Sequence, residues 1–373
     1  MRDRKPRLVT VESSAMSKTA FRTLPELLTL FETAQTVEHV FGRFTTEADL
    51  RRSYRDLANA THPDHHPYFT DVAVEAFKLL QQWYERAKQQ LRPIVLTSRR
   101  YRYQTMGEPQ QGDLADLYAG SAETIHGNAA YPNVILKIGR QPRNNDLLAA
   151  EARVLKKINR ELDGMPLRAH FPTLIETFAM VDQGGVQRQV NVLVKEPDTV
   201  SLADVIEAYP GGIDSADMAW MFNRLLVALS ETHALGFVHG AIVPEHLLIR
   251  PSDHNGILID WCYSVEIGQR VKAISPRHRA ATAPEILAKQ AATPAADIYM
   301  AAMTILQLLG GDVATQSLPH DVPRPIQAFL RACLIQSPHR RPNSAWELFE
   351  EFGEILFKLY GPPTFRPFSM LVD

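Results

Sequence analysis

Cysteine is scarce. Cys262 and Cys333 are the only two in 373 residues and stand far apart, which argues against a disulfide scaffold and fits a reducing compartment. Neither charge sign dominates: 40 Lys and Arg face 42 Asp and Glu, for a formal net charge of −2. That balance gives no reason to expect nucleic acid or an anionic membrane as partner. Long apolar runs are missing as well. The most apolar helical stretch, about Ile298 to Leu309, is too short to span a bilayer. Arg2, Arg4, Lys5 and Arg7 are not followed by the apolar run a signal peptide needs, so the cytoplasm is the expected location. Internal repeats and long low-complexity tracts are also lacking.

What is present is the composition of ordinary globular protein, 45% hydrophobic and 22% charged. A chain of this length suggests two or three domains. Residues 1–23 read as a flexible polar tail. One helix is expected from Leu24 to about Phe41, ended by Gly42. Thr46 is a good N-cap for a second, with Asp49 near the positive end of its dipole. Leu50, Tyr54, Leu57 and Ala58 recur at helical spacing as a buried stripe, while Arg51, Arg52 and Arg55 give the other faces a cationic surface. Pro63 denies His62 an easy helical conformation, so this helix should stop and a loop project. A helix from about Asp71 to Leu91 can then pack antiparallel, burying Phe77, Leu80 and Tyr84.

The tripeptide His62-Pro63-Asp64, set between that basic helix and the aromatic-rich one, resembles the J domain of DnaJ-type co-chaperones. Asn59, Ala60 and Thr61 depart from the pattern, replacing basic and aromatic residues and thinning the positive surface. The resemblance implies a DnaK-type chaperone as partner. Arg51, Arg52 and Arg55 would dock on its acidic surface, and His62, Pro63 and Asp64 would trigger its ATP hydrolysis. His65 and His66 invite a metal reading, but no cysteine is near and adjacent histidines lack helical ligand spacing, so no site is expected there.

A boundary is expected near Arg92-Pro93, with 93–100 as linker; the basic cluster at the junction, Arg99-Arg100-Arg102, could dock an acidic partner but reads rather as solvated linker. Beyond it strands come first and helices later. Val134 to Ile138 and Asn191 to Val194 read as strands, and Asn145 to Asn159, Ala219 to His233 and Ala296 to Leu309 as helices. This order suits a small sheet-rich lobe on a larger helical one.

This second part resembles eukaryotic-type protein kinases. Lys137 matches the strand lysine that contacts phosphates, Glu151 its helix partner, and Glu196 the hinge. Val238 to Leu248 matches the catalytic loop, Leu258 to Cys262 the magnesium-binding strand and turn, and Ala283-Pro284-Glu285 the end of the activation segment. Asp297 matches a buried structural aspartate, and Arg341 the arginine that pairs with Glu285. The expected fold class is therefore α+β multidomain. An all-α J domain (24–92) built on an antiparallel helical hairpin precedes a bilobal kinase-like domain (101–367), its small lobe about 101–196 and its large lobe about 197–367.

The same resemblance puts transfer chemistry in doubt. Ala241 stands where the catalytic base should be and His246 where a metal-binding amide should be, with Gly240 and Val243 at the loop's cationic positions. Imidazole is a poor ligand for hard magnesium. A pseudokinase, with no catalytic residue of its own, is expected.

Nucleotide binding is a separate matter. Gly112 alone remains of three phosphate-loop glycines, and Asp113 and Asp116 add negative charge there. Lys137, Glu151, Glu196 and Asp260 argue the other way, Asp260 also as the magnesium ligand, so ATP with magnesium stays open. The leading expectation is a co-chaperone whose kinase-like domain binds a client or adaptor, or senses nucleotide and so gates the J domain. The alternative is an atypical ATP-dependent serine/threonine kinase fused to a J domain, with Glu245 or another carboxylate replacing the base.

Overall fold

A computed structural model describes residues 23–42, 44, 47–90, 94–182 and 184–370. The N-terminal tail, Thr46 as a cap, and the boundary at Arg92-Pro93 lie outside the described residues. The chain divides into two compact units, residues 1–95 with 106–108, and residues 96–105 with 109–373.

The first unit is built on helices α1 (Leu24–Thr33), α2 (Val37–Phe41), α3 (Glu47–Thr61) and α4 (Thr70–Gln90). The single helix expected from Leu24 to Phe41 is broken in two. The chain is extended at Ala34 and Thr36, and the Thr36 hydroxyl accepts the His39 N–H to start α2. Gly42 ends α2 at φ +72°, donating its N–H to the Glu38 carbonyl, a conformation that suits glycine.

Helices α3 and α4 pack together, their Tyr54 and Tyr84 rings stacked with centroids 4.1 Å apart. Leu50, Leu57, Leu80, Trp83 and Ala87 form the core with Leu27, Phe31 and Phe41. The Trp83 indole donates to the Phe31 carbonyl at 2.9 Å. Tyr54, Ala58 and Tyr84 are only half-buried, and Phe77, expected in the core, lies edge-on to the His62 ring instead. Ala73 and Ala76 take the buried positions on that turn of α4. Leu80 is completely buried, so Leu80→Ala should destabilise this unit by about 2–5 kcal/mol, read from a chemical-denaturation midpoint.

The second unit opens with β1 (Val95–Thr97), β2 (Tyr101–Gln111), β3 (Ala115–Thr124) and β4 (Ala129–Gly139), then α5 (Asn145–Glu161), β5 (Leu174–Val181) and β6 (Gln187–Val194). These strands form one sheet in the order β1-β2-β3-β4-β6-β5, with β4 antiparallel to both β3 and β6. Strand β1 thus falls inside the segment read as linker.

Helices dominate the rest. After β7 (Val200–Ser201) come α6 (Leu202–Ala208), α7 (Ser215–Ala234), β8 (Phe237–Val238), β9 (Leu247–Arg250), β10 (Asn255–Leu258) and β11 (Val265–Glu266). Helices α8 (Pro284–Leu287), α9 (Pro294–Leu308), α10 (Arg324–Cys333) and α11 (Ala345–Tyr360) complete the unit. Almost every residue of α9 is buried, which explains why its sequence shows little amphipathic contrast. Phe222, Phe329 and Phe352 meet in the same core, with ring centroids 5.0 to 6.1 Å apart. Among the described residues no helix is long and apolar enough to cross a membrane.

Candidate functional site

In the first unit the candidate residues gather at one tip. Helix α3 ends at Thr61, and residues Pro63–His65 make a single tight turn in which the His62 Nδ1 accepts the Asp64 N–H at 3.2 Å. Asp64 is 85% exposed and the His62 ring 44%, so the tripeptide points outward. Its two neighbours, whose role the sequence did not reveal, close the end of α3. The His65 ring bonds the Asn59 carbonyl at 2.9 Å and the His66 ring the Ala60 carbonyl at 2.8 Å. These are carbonyls that a helix C-terminus leaves without partners. Arg51, Arg52 and Arg55 lie along α3, all three exposed and Arg51 paired with Glu47 at 2.6 Å.

In the second unit the candidate residues converge from five segments. Lys137 on β4 and Glu151 on α5 are buried and paired at 2.9 Å. Register places Lys137 beside Asn191 of β6, and the Asn191 amide reaches the other Glu151 oxygen at 2.8 Å. Glu151 also accepts the Trp261 N–H at 3.1 Å, which ties α5 to the turn after β10. Asp260, at φ +60° in that turn, takes Lys137 on one carboxylate oxygen at 2.7 Å. Its other oxygen faces His246 Nε2 at 3.3 Å.

Burial alone would raise the Asp260 pKa, but Lys137 and then His246 hold it well below the usual carboxylate range. Burial would likewise lower His246, and the Asp260 carboxylate reverses that to leave it raised. His239 is the contrast: burial drives it down to about 4, so it is a neutral packing residue.

Around this polar cluster the transfer position is apolar. Ala241 packs in one cluster with Ala115, Leu147, Leu148, Cys262 and Tyr263, and Leu114, Val271 and Ala273 pack against that cluster. Gly112 makes the tight turn between β2 and β3, where an added Cβ would come within 2.8 Å of the Ala115 carbonyl oxygen. That turn is pinned: Arg140 and Asn144 donate to the Gly112 and Leu114 carbonyls at 3.1 and 2.9 Å. Asp113 accepts from Ser275 and pairs with Arg277 at 3.8 Å, and Asp116 pairs with Arg140 at 3.4 Å. Asp113 is thus held by a protein donor, whereas Asp116 has a cation nearby but its Oδ1 accepts no hydrogen bond.

Glu245, weighed as a replacement base, lies 3.2 Å from His278. Glu196 follows β6 as expected of a hinge residue, but its carboxylate faces Arg250 at 3.8 Å. Asp297 accepts the N–H groups of His239 and Gly240 at 2.7 and 2.9 Å, and Arg341 pairs with Glu285 at 2.8 Å, both in buried structural roles.

Comparison with known proteins bears on this geometry. The chain is 30% identical over 178 residues to serine/threonine-protein kinase F of Synechocystis sp. (strain ATCC 27184 / PCC 6803 / Kazusa), a span covering 45% of this chain and 34% of that protein. It is 26% identical over 137 residues to casein kinase II subunit alpha' of Saccharomyces cerevisiae (strain ATCC 204508 / S288c), covering 36% and 38%. Both matches are to protein kinases and support a protein-kinase-like domain in this chain. The chain spans little more than a third of the length of these relatives. No family model matches it.

In the kinase-like domain, then, the lysine, its glutamate partner and the turn aspartate are brought together, while the base position is filled with aliphatic surface.

Proposed function

We propose that this protein is a J-domain co-chaperone. It recruits a DnaK-type chaperone and stimulates that partner's ATPase, while its kinase-like domain holds a client or adaptor or senses nucleotide. The observation that carries the reading is the outward-pointing His62-Pro63-Asp64 turn at the end of α3, the helix that bears Arg51, Arg52 and Arg55. A rigid tip next to a cationic face suits a weak, electrostatically steered encounter in which a few groups do the triggering. Holding the turn costs little, because His65 and His66 already bond the helix carbonyls behind it.

The test is the steady-state ATPase of a cognate DnaK-type chaperone with and without the full chain. Stimulation is expected, and His62→Gln should return the rate to the unstimulated level without lowering the melting temperature. His62 is half-exposed, and the groups its ring meets, His65, Phe77 and the Asp64 N–H, lie outside the buried core, so the substitution leaves that core intact. Absence of stimulation across several candidate chaperones rejects the co-chaperone role. So would stimulation that His62→Gln leaves untouched.

A second reading, an atypical serine/threonine kinase, draws on the names of the two relatives and on the intact Lys137–Glu151 pair. Against it stand Ala241 in its apolar cluster and Glu245 committed to His278.

A further inference from the structure

The C-terminal stretch lies on the second unit as a peptide lies on a receptor. After α11 ends at Tyr360, Gly361 at φ +78° and the pair Pro362-Pro363 redirect the chain, and residues 361–370 run on without helix or strand. Among the described residues no backbone-to-backbone hydrogen bond holds 362–370 to the rest of the unit. Side chains hold it instead. The Phe365 ring stacks on His254 and His254 on Trp220, each pair with centroids 4.2 Å apart. Phe368 meets Tyr209 at 5.9 Å and Trp220 at 6.4 Å. Between the two phenylalanines, Arg366 pairs with Asp214 at 3.3 Å and with Asp217 at 3.2 Å. Two of these partners also take main-chain carbonyls. His254 Nε2 donates to that of Arg366 at 2.7 Å and the Tyr209 hydroxyl to that of Ser369 at 2.6 Å. Bonds to the backbone beside sockets for side chains are how grooves read extended peptides.

The tail fills this groove without satisfying it. Trp220, against which the tail packs, buries its Nε1 with no hydrogen-bond partner among the described residues. Asp217 Oδ1 accepts no hydrogen bond either, although the Arg366 guanidinium is beside it. Buried polar groups left unpaired cost free energy. Burial leaves the Asp217 carboxyl above its ordinary range despite that arginine. His254 holds a left-handed φ of +54°, a conformation that persists in a residue with a side chain only where its surroundings impose it. Phe365 stays 60% exposed and the Arg366 side chain 48%, so the tail is retained by modest apolar burial and solvent-screened ion pairs.

We infer that the groove of Tyr209, Asp214, Asp217, Trp220 and His254 docks an extended segment of another protein that carries an arginine between two aromatic residues, with the C-terminal tail as its tethered stand-in. The acidic pair selects the arginine; the His254–Trp220 stack and Tyr209 take the rings on either side. The groove lies wholly within the second unit, so this goes beyond the co-chaperone role and does not rest on it.

The experiment uses the full chain and a fluorescein-labelled peptide of the tail's own sequence, Thr-Phe-Arg-Pro-Phe-Ser-Met, read by anisotropy. A short tether presents the tail at an effective concentration on the order of millimolar, so the parent should bind the probe weakly. Phe365→Ser, Arg366→Ser and Phe368→Ser together vacate the groove and should tighten probe binding by about tenfold or more. In the vacated protein, Asp217→Asn should weaken binding by about tenfold. His254→Asn, which loses the ring but tolerates the left-handed φ, should do the same. A probe with glutamate in place of its arginine should not bind. Arg366→Ser alone, a milder change with a smaller gain, decides the matter if the triple variant does not fold. No binding to a folded vacated protein overturns the inference and leaves the tail a structural strap. Equal binding to parent and vacated protein overturns it too, as does binding that Asp217→Asn leaves unchanged. A parent that dimerises with rising concentration, beside a vacated protein that stays monomeric, assigns the groove to the tail of a second copy and equally overturns it.

Discussion

Mixed with labelled ATP, magnesium or manganese, and generic serine and threonine acceptors, the protein should transfer phosphate at least about 10⁴-fold more slowly than an active kinase. Two losses multiply. A positioned general base contributes about 10² to 10⁴ in rate, and Ala241 cannot act as one. A loop cation that stabilises the moving phosphoryl group is worth about 10² to 10³ more, by analogy with loss of a single oxyanion donor, and its place is taken by Gly240. That glycine is fixed at φ +79° with the Tyr263 carbonyl 2.8 Å from where a Cβ would stand, so restoring a side chain there would strain the turn.

Nor should Ala241→Asp alone recover transfer. The new carboxylate would enter the cluster of Leu147, Leu148 and Cys262, where burial favours its neutral form. Filter-bound counts or mass-spectrometric acceptor mapping would decide. Robust transfer that disappears in both Asp260→Ala and Lys137→Ala would mean that the atypical-kinase reading is right.

Arg341→Ala should destabilise the kinase-like domain by about 3–5 kcal/mol, the usual result of leaving a buried carboxylate without its partner. Arg341 joins Glu285 through two nitrogens, at 2.8 and 3.3 Å, and donates to the carbonyls of Ala295, Ile335 and Gln336. Its guanidinium also lies 4.7 Å from the centroid of the Tyr299 ring. Truncation strands the buried Glu285 charge and the buried Ala295 carbonyl, and frees the partly buried carbonyls of Ile335 and Gln336. For a domain of this size the melting temperature should fall on the order of 10 °C. Arg341→Met with Glu285→Met should recover part of the loss, because removing both charges costs less than orphaning one. A single-variant shift below about 1 kcal/mol would show that the pair does not anchor this part of the fold. Denaturant melts followed by tryptophan fluorescence make the measurement.

Some of the site was legible because its chemistry is local in sequence. Pro63 after a basic amphipathic run is enough to end α3 and turn the next residues outward. The order of Lys137, Glu151, Asp260, Glu285, Asp297 and Arg341 likewise carried the kinase resemblance, and in the structure Lys137 meets Glu151 and Asp260 while Arg341 meets Glu285.

Other features depended on neighbours far along the chain. The break at Ala34 to Thr36 turns on one hydroxyl capping a short helix, a weak signal inside an apolar stretch. Phe77 looked like core by spacing, yet two small residues, Ala73 and Ala76, fill that face and leave the ring against His62. His65 and His66 looked like surplus imidazoles until the carbonyls of Asn59 and Ala60 appeared within reach.

The amino-acid order alone determined the amphipathic stripe and proline stop of the first unit. It also determined the loss of base and amide in the second, because residue identity at a fixed spacing is enough for both. Only the tertiary structure decided what replaced them. It set His246 against Asp260, turned Glu245 to His278, and buried Ala241 in an apolar cluster with Leu147 and Leu148. The physical reason is that ion pairing and apolar burial depend on distances between residues well separated along the chain, and only the folded chain sets those.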